Sequence, residues 1–142
     1  MHPPPTAQPV EQVIGSIQTQ LDNQKIQYER GDQRAWHITV RSLSEQLRTT
    51  WERAVEETLA PVLKRLANKV DTKGLSKLTV IAMADCETMR AAYGRCSKLA
   101  HSSSEALNSP LPKPDAIQDE IDAIRNWFSD IRKRQDQIDS LE

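Results

Sequence analysis

Glycine is scarce in this chain of 142 residues: there are four, and none stands in a Gly-x-x-x-x-Gly-Lys loop, so no phosphate cradle for ATP or GTP is encoded. Aromatic residues make up only 4%, which leaves Leu, Ile, Val, Ala and Met to build the core. Three scattered histidines and two cysteines give no zinc-ligand spacing, and no Gly-x-Ser-x-Gly elbow is present. Neither a metal nor an organic cofactor is therefore expected. Cys86 and Cys96 fall in one helical stretch, where their separation prevents pairing, so free thiols in a reducing, cytoplasmic compartment are expected. No run approaches the roughly 20 apolar residues of a membrane span, and Met-His-Pro-Pro-Pro lacks the basic-then-apolar pattern of a signal peptide. A net charge of −1 offers nucleic acid no global attraction, so any RNA contact must use a local basic patch.

What the chain does have is helical periodicity. A hydrophobic fraction of 37% and a charged fraction of 27% suit one globular domain with a solvated surface. Residues 1–8 read as a disordered, proline-rich lead, and 9–142 as a single helical domain. Pro9 stands where a helix can begin, and Val10, Val13, Ile14, Ile17 and Leu21 follow at helical spacing up to the break at Gly31-Asp32. Trp36, Val40, Leu43, Leu47, Trp51, Ala54, Val55 and Leu59 step by three and four, the clearest amphipathic face in the chain. Pro61 should kink or restart that helix, Val62, Leu63, Leu66 and Val70 continue its pattern, and Asp71 to Gly74 reads as its stop.

Leu75 to Met83 reads as a connector that tucks apolar residues into the core, because its Leu78-Thr79-Val80-Ile81 has strand-like composition without a nearby strand to pair with. Asp85 is a candidate N-cap for a further helix that buries Cys86, Met89, Tyr93, Cys96, Leu99 and Ala100. Ser102-Ser103-Ser104 should end or disturb it, and Pro110, Pro112 and Pro114 force an extended crossing. Asp115 and Gln118 resemble a capping box before Ile117, Ile121, Ile124, Phe128 and Ile131, and the charged tail 132–142 should fray. The expected fold is all-α, an up-and-down bundle of four or five helices.

Two constellations could carry chemistry. Arg53 and Glu57 lie one helical turn apart on a common face, a spacing that also makes ordinary solvated ion pairs. Arg95 and His101 differ by about 120° around an ideal helix, so they converge only if the helix ends near His101 or across a two-fold dimer interface. A histidine near a helix end can equally serve the last carbonyls. These residue types suffice for RNA cleavage without metal. Histidine moves protons at the ribose 2′-hydroxyl and the leaving oxygen, arginine neutralises the phosphorane, and a carboxylate orients the arginine or transfers the second proton.

The stretch Leu47-Arg48-Thr49-Thr50-Trp51-Glu52-Arg53-Ala54-Val55-Glu56-Glu57 resembles the start of the C-terminal domain of RloC-like and PrrC-like ATPases. Arg95-Cys96-Ser97-Lys98-Leu99-Ala100-His101, then Pro114-Asp115 and the last helix through Trp127, resemble its end, so the likeness covers roughly residues 47–134. In that family an ABC-type ATPase head is joined to a helical nuclease domain of the HEPN class, associated with cutting tRNA anticodon loops during phage defence. The resemblance implies a HEPN-like bundle with a nuclease-like core at about 36–134 and catalytic residues Arg53, Glu57, Arg95 and His101. The HEPN signature is an arginine followed four to six residues later by histidine, which Arg95 and His101 resemble, but a polar residue usually follows the arginine and Cys96 stands there instead. Lys64, Arg90 and Lys98 are candidates for RNA-backbone contacts. The implied partners are RNA and a second copy of the chain. The alternative is a non-catalytic module docking on an ATPase or antitoxin-like protein, using an exposed apolar strip along Val10, Val13, Ile14 and Ile17.

Overall fold

The computed structural model describes residues 8–66, 76–101 and 111–140, excepting the side chains at 60–66 and 139. Five helices are present among them: α1 Val10–Gln24, α2 Ile26–Glu29, α3 Gln33–Leu66, α4 Met83–His101 and α5 Pro114–Ser140. The described residues include no strand. None of these helices is long and apolar enough to cross a membrane. The proline-rich lead up to residue 7, the stop at Asp71 to Gly74 and the serines 102–104 lie outside the described residues.

Helix directions follow from which residues meet. Gln20 bonds Gln46 near the end of α1, and Val10 at its start bonds Glu57, so α1 and α3 are antiparallel. The reversal passes through Gly31, whose φ of 74° is the left-handed conformation that glycine adopts without a Cβ penalty. Asp32 then caps α3, accepting from the Ala35 N–H at 3.2 Å. Trp36 bonds the Pro112 carbonyl, Trp51 meets Trp127, and Gln135 bonds the Thr58 carbonyl, so α5 runs parallel to α3. Arg95 meets Glu120 while Asp85 meets Arg134, which sets α4 antiparallel to α5. The four long helices therefore alternate in direction, as an up-and-down bundle requires.

One core joins all four. Val10, Ile14, Ile17 and Leu21 of α1 pack with Trp36, Val40, Leu43, Leu47, Trp51 and Ala54 of α3, Ala92 and Cys96 of α4, and Ile117, Ile121, Ile124, Phe128 and Ile131 of α5. Each large apolar side chain fully removed from water contributes about 1.5–3 kcal/mol, which makes this periodic stripe the main source of stability. Trp51 and Trp127 meet edge-to-face at 5.3 Å in its middle.

Several local expectations are corrected. The apolar strip of α1 is not exposed: Val10, Ile14 and Ile17 are buried and Val13 is half-buried, packed on the core shared with α3 and α5. Helix α3 does not restart at Pro61 but runs on to Leu66. Helix α4 begins at Met83, two residues before Asp85, which acts as the third helical residue rather than the N-cap. Its carboxylate accepts from the Ala82 N–H at 2.8 Å, the return half of a capping box. Helix α5 starts with Pro114 in its first turn, and Gln118 bonds Gln18 of α1 instead of capping its own helix. The tail stays helical to Ser140 because Arg134 and Gln135 are anchored across the bundle. The connector behaves as expected in part: Ile81 packs against the core, while Met83 is 72% exposed.

Candidate functional site

The four residues expected to share a site are divided between two places. Arg53 and Glu57 lie under the start of α1. Proline at position 9 supplies no N–H and α1 has no side-chain cap of its own, so its first free amide needs a partner from elsewhere. Glu57 provides it, accepting from the Val10 N–H at 2.9 Å, and its charge also suits the positive end of the α1 dipole. Arg53 donates through Nη2 to the Gln8 carbonyl and stands 4.0 Å from Glu57. Arg132 of α5 closes the cluster at 3.6 Å from Glu57 while lying over the Phe128 ring. These contacts clasp the N-terminus of α1 to α3 and α5.

Arg95 sits elsewhere. Its Nε and Nη2 donate to the two oxygens of Glu120 at 2.7 and 2.9 Å, a side-on bidentate pair across α4 and α5. The Glu120 side chain is only 10% exposed, whereas that of Arg95 is 52% exposed. Hydrogen bonding to Glu120 raises the guanidinium pKa further above its ordinary value. Since Glu57 meets Arg132 and Arg95 meets Glu120, the two clusters stand about 18 Å apart along α5. His101 is the last residue of α4 and is exposed. It lies about 9 Å beyond Arg95, on the side away from Glu57. One chain thus brings Arg53 and Glu57 together, leaves Arg95 and His101 on one helix, and does not join the two sets.

The last three turns of α4 present a cationic outer side, one turn beyond the exposed Glu87 in the same sector. Arg90, Arg95, Lys98 and His101 are exposed, and no acidic residue occurs between Thr88 and His101. On a helical wheel Arg90, His101, Lys98 and Arg95 follow one another across about 140°, with Lys98 between His101 and Arg95. Cys96 faces the opposite way, fully buried, and burial pushes its thiol up to about 12. It cannot supply the polar contact expected directly after the arginine, and its thiolate is not accessible for chemistry. The Lys64 side chain lies outside those described.

Sequence reasoning did not single out Glu120 or Arg134, and it took Asp85 only for a helix cap. Asp85 binds Arg134 through both oxygens at 2.8 and 2.9 Å, and that bond holds its carboxyl below the ordinary carboxylate range. A signal for Glu120 does exist: it falls in phase with Ile117, Ile121, Ile124 and Ile131, so an acid occupies a position on the buried stripe. Gln135, buried in the same phase, carries the same signature.

No family model matches the chain, and neither the curated proteins nor the solved structures include a significant match.

Proposed function

We propose that the chain is a HEPN-like, metal-independent endoribonuclease, acting on tRNA or another RNA in a phage-defence or toxin-type system. In this reading two copies face each other through α4, so that both Arg95–His101 pairs line one cleft. What carries the reading is the exposed cationic side of α4, which sets Arg95, Lys98 and His101 together on a molecule of net charge −1. Arg90 and Lys98 hold the phosphodiester backbone. Arg95 neutralises charge on the phosphorane, and His101 transfers the proton at the 2′-hydroxyl or the 5′-oxygen. Arg53 and Glu57 are assigned to the α1 clasp, because their polar atoms bind α1 and its lead-in.

The test is cleavage of total tRNA in EDTA by wild type, His101→Ala and Arg95→Ala. Cyclic-phosphate products from wild type, lost in both variants at unchanged helical content, are the expected result. A folded wild type that leaves tRNA intact in EDTA sinks the nuclease reading.

One observation favours a second reading, a non-catalytic helical module that docks on an ATPase or antitoxin-like protein. Arg53, Glu57 and Arg95 all spend polar atoms on bonds within the chain, as residues of a structural framework do. The exposed large apolar residues that such docking would use are Ile26, Tyr28, Ile38 and Met83. Persistence of RNA binding without cleavage would leave this reading standing.

A further inference from the structure

Arginine reaches a carboxylate in two ways, and the way chosen decides which donors remain. End-on contact uses the two terminal nitrogens; side-on contact uses Nε and one of them. Glu120 takes Arg95 side-on, through Nε at 2.7 Å and Nη2 at 2.9 Å. The end-on edge, made by Nη1 and the second Nη2 hydrogen, is not used by that pair. Arg95 nevertheless remains half exposed, while the carboxylate that holds it is almost wholly enclosed between α4 and α5.

An ion pair serving only to join two helices on the surface could leave both partners wet. Here the acid has been placed on the buried stripe of α5, next to Ile117, Ile121 and Ile124, where an unpaired carboxylate would be costly. The cost ties the buried Glu120 carboxylate to Arg95, and the two bonds set the guanidinium plane. A long side chain that would otherwise sample many rotamers is presented to solvent in one attitude.

We propose that Glu120 is the positioning residue of the α4 surface, fixing the Arg95 guanidinium so that its free end-on edge donates to a phosphodiester. The inference rests on reading Arg95 as an RNA contact. The ligand class is the non-bridging oxygen pair of an RNA backbone phosphate, whose spacing matches the guanidinium fork. Glu120 touches no substrate and acts through Arg95. Lys98, between Arg95 and His101 on the helix, supplies a neighbouring point charge without a fixed orientation.

Charge makes the role separable from scaffolding. Glu120→Gln removes a negative charge beside a cationic surface, so a purely structural or electrostatic role predicts RNA affinity that is unchanged or tighter. Positioning predicts weaker binding in spite of the added positive charge. The experiment measures binding of the full-length chain to fluorescein-labelled oligouridine at several salt concentrations. Wild type, Arg95→Ala, Arg95→Lys, Glu120→Gln and the Arg95→Ala/Glu120→Gln double variant are compared, with helical content and melting temperature recorded for each.

The expected result is about a tenfold loss of affinity for Glu120→Gln, a similar loss for Arg95→Lys, and a double variant no weaker than Arg95→Ala. Arg95→Lys keeps the charge but not the side-on fork, so it decides the matter should Glu120→Gln fail to fold. Wild-type affinity in Glu120→Gln or in Arg95→Lys overturns the proposal, as does a wild type that does not bind oligouridine. Cleavage of tRNA in EDTA is scored separately. Binding that follows the expected pattern without cleavage removes the nuclease reading and leaves Glu120 its role, whereas cleavage that survives Glu120→Gln at the wild-type rate overturns the role and leaves the nuclease.

Discussion

Arg53 and Glu57 come from one helix, one turn apart, and Arg95 and Glu120 from two different helices. The first pair stands 4.0 Å apart and directs its remaining bonds to the main chain of Gln8 and Val10. The second closes at 2.7 and 2.9 Å and leaves half of its arginine in solvent. In sequence the first looks the more purposeful, because its spacing is local and its residues share a face. In the folded chain it does a structural task, supplying the cap that Pro9 and Val10 lack, while the second presents a cation outward. Local spacing says which residues share a face of a helix, and only the packed neighbour says what that face is for.

Breaking the scaffold that keeps the two pairs in place should have the largest effect. Trp51 is fully buried between them and meets Trp127 edge-to-face. Trp51→Ala should cost about 3–5 kcal/mol in urea unfolding and weaken both pairs together. A loss below about 1 kcal/mol would mean that the two tryptophans do not join the helices as described.

The Asp85–Arg134 pair offers a next, smaller test, since it anchors the other end of α4 without touching either site. Asp85→Asn should cost about 1.5–3 kcal/mol at neutral pH, given a bidentate and mostly enclosed carboxylate. The direction of its pH dependence follows from Arg134, which lowers the Asp85 pKa in the folded state from its ordinary 3.8. The contribution is therefore complete above that ordinary value and is lost as pH falls through the lower folded one. Urea melts from pH 7 to pH 3 should show a steady gap between wild type and variant down to about pH 5, closing in stronger acid.

Glu57→Gln sharpens the contrast between the pairs more finely. It should cost about 1 kcal/mol, lower hydrogen-exchange protection at the first turn of α1, and leave tRNA cleavage unchanged. Abolished cleavage in a folded Glu57→Gln protein would return Glu57 to the site and contradict the assignment of this pair to the clasp. The smallest effect on stability belongs to His101→Ala, within about 0.5 kcal/mol for an exposed helix end, with cleavage lost nonetheless.

Much of the fold was legible. The phases of Val10–Leu21, Trp36–Ala54 and Ile117–Ile131 mark the buried faces that the structure shows, and Gly31 marks the turn between α1 and α3. The helix ends were read less well. Asp85 looked like a cap and Gln118 like half of a capping box, but each found its main partner on another helix, Arg134 and Gln18. The tail was expected to fray because its charges outnumber its apolar residues, and it is held by two side chains whose partners lie more than forty residues away. The candidate residues on α4 were legible as types, while Glu120 was hidden because an acid inside an apolar stripe shows its phase and not its partner.

By itself the sequence determined that the chain is helical, where its apolar faces run and which cationic side chains share a helix. These properties depend on spacing within a single helix, which the backbone imposes wherever that helix sits. The tertiary structure decided that Glu57 caps α1, that Glu120 holds Arg95, and that Arg53 and His101 stand at different levels of the bundle. Those outcomes depend on how packed helices are rotated and registered against one another, and a pattern within one helix carries no record of its neighbour's phase.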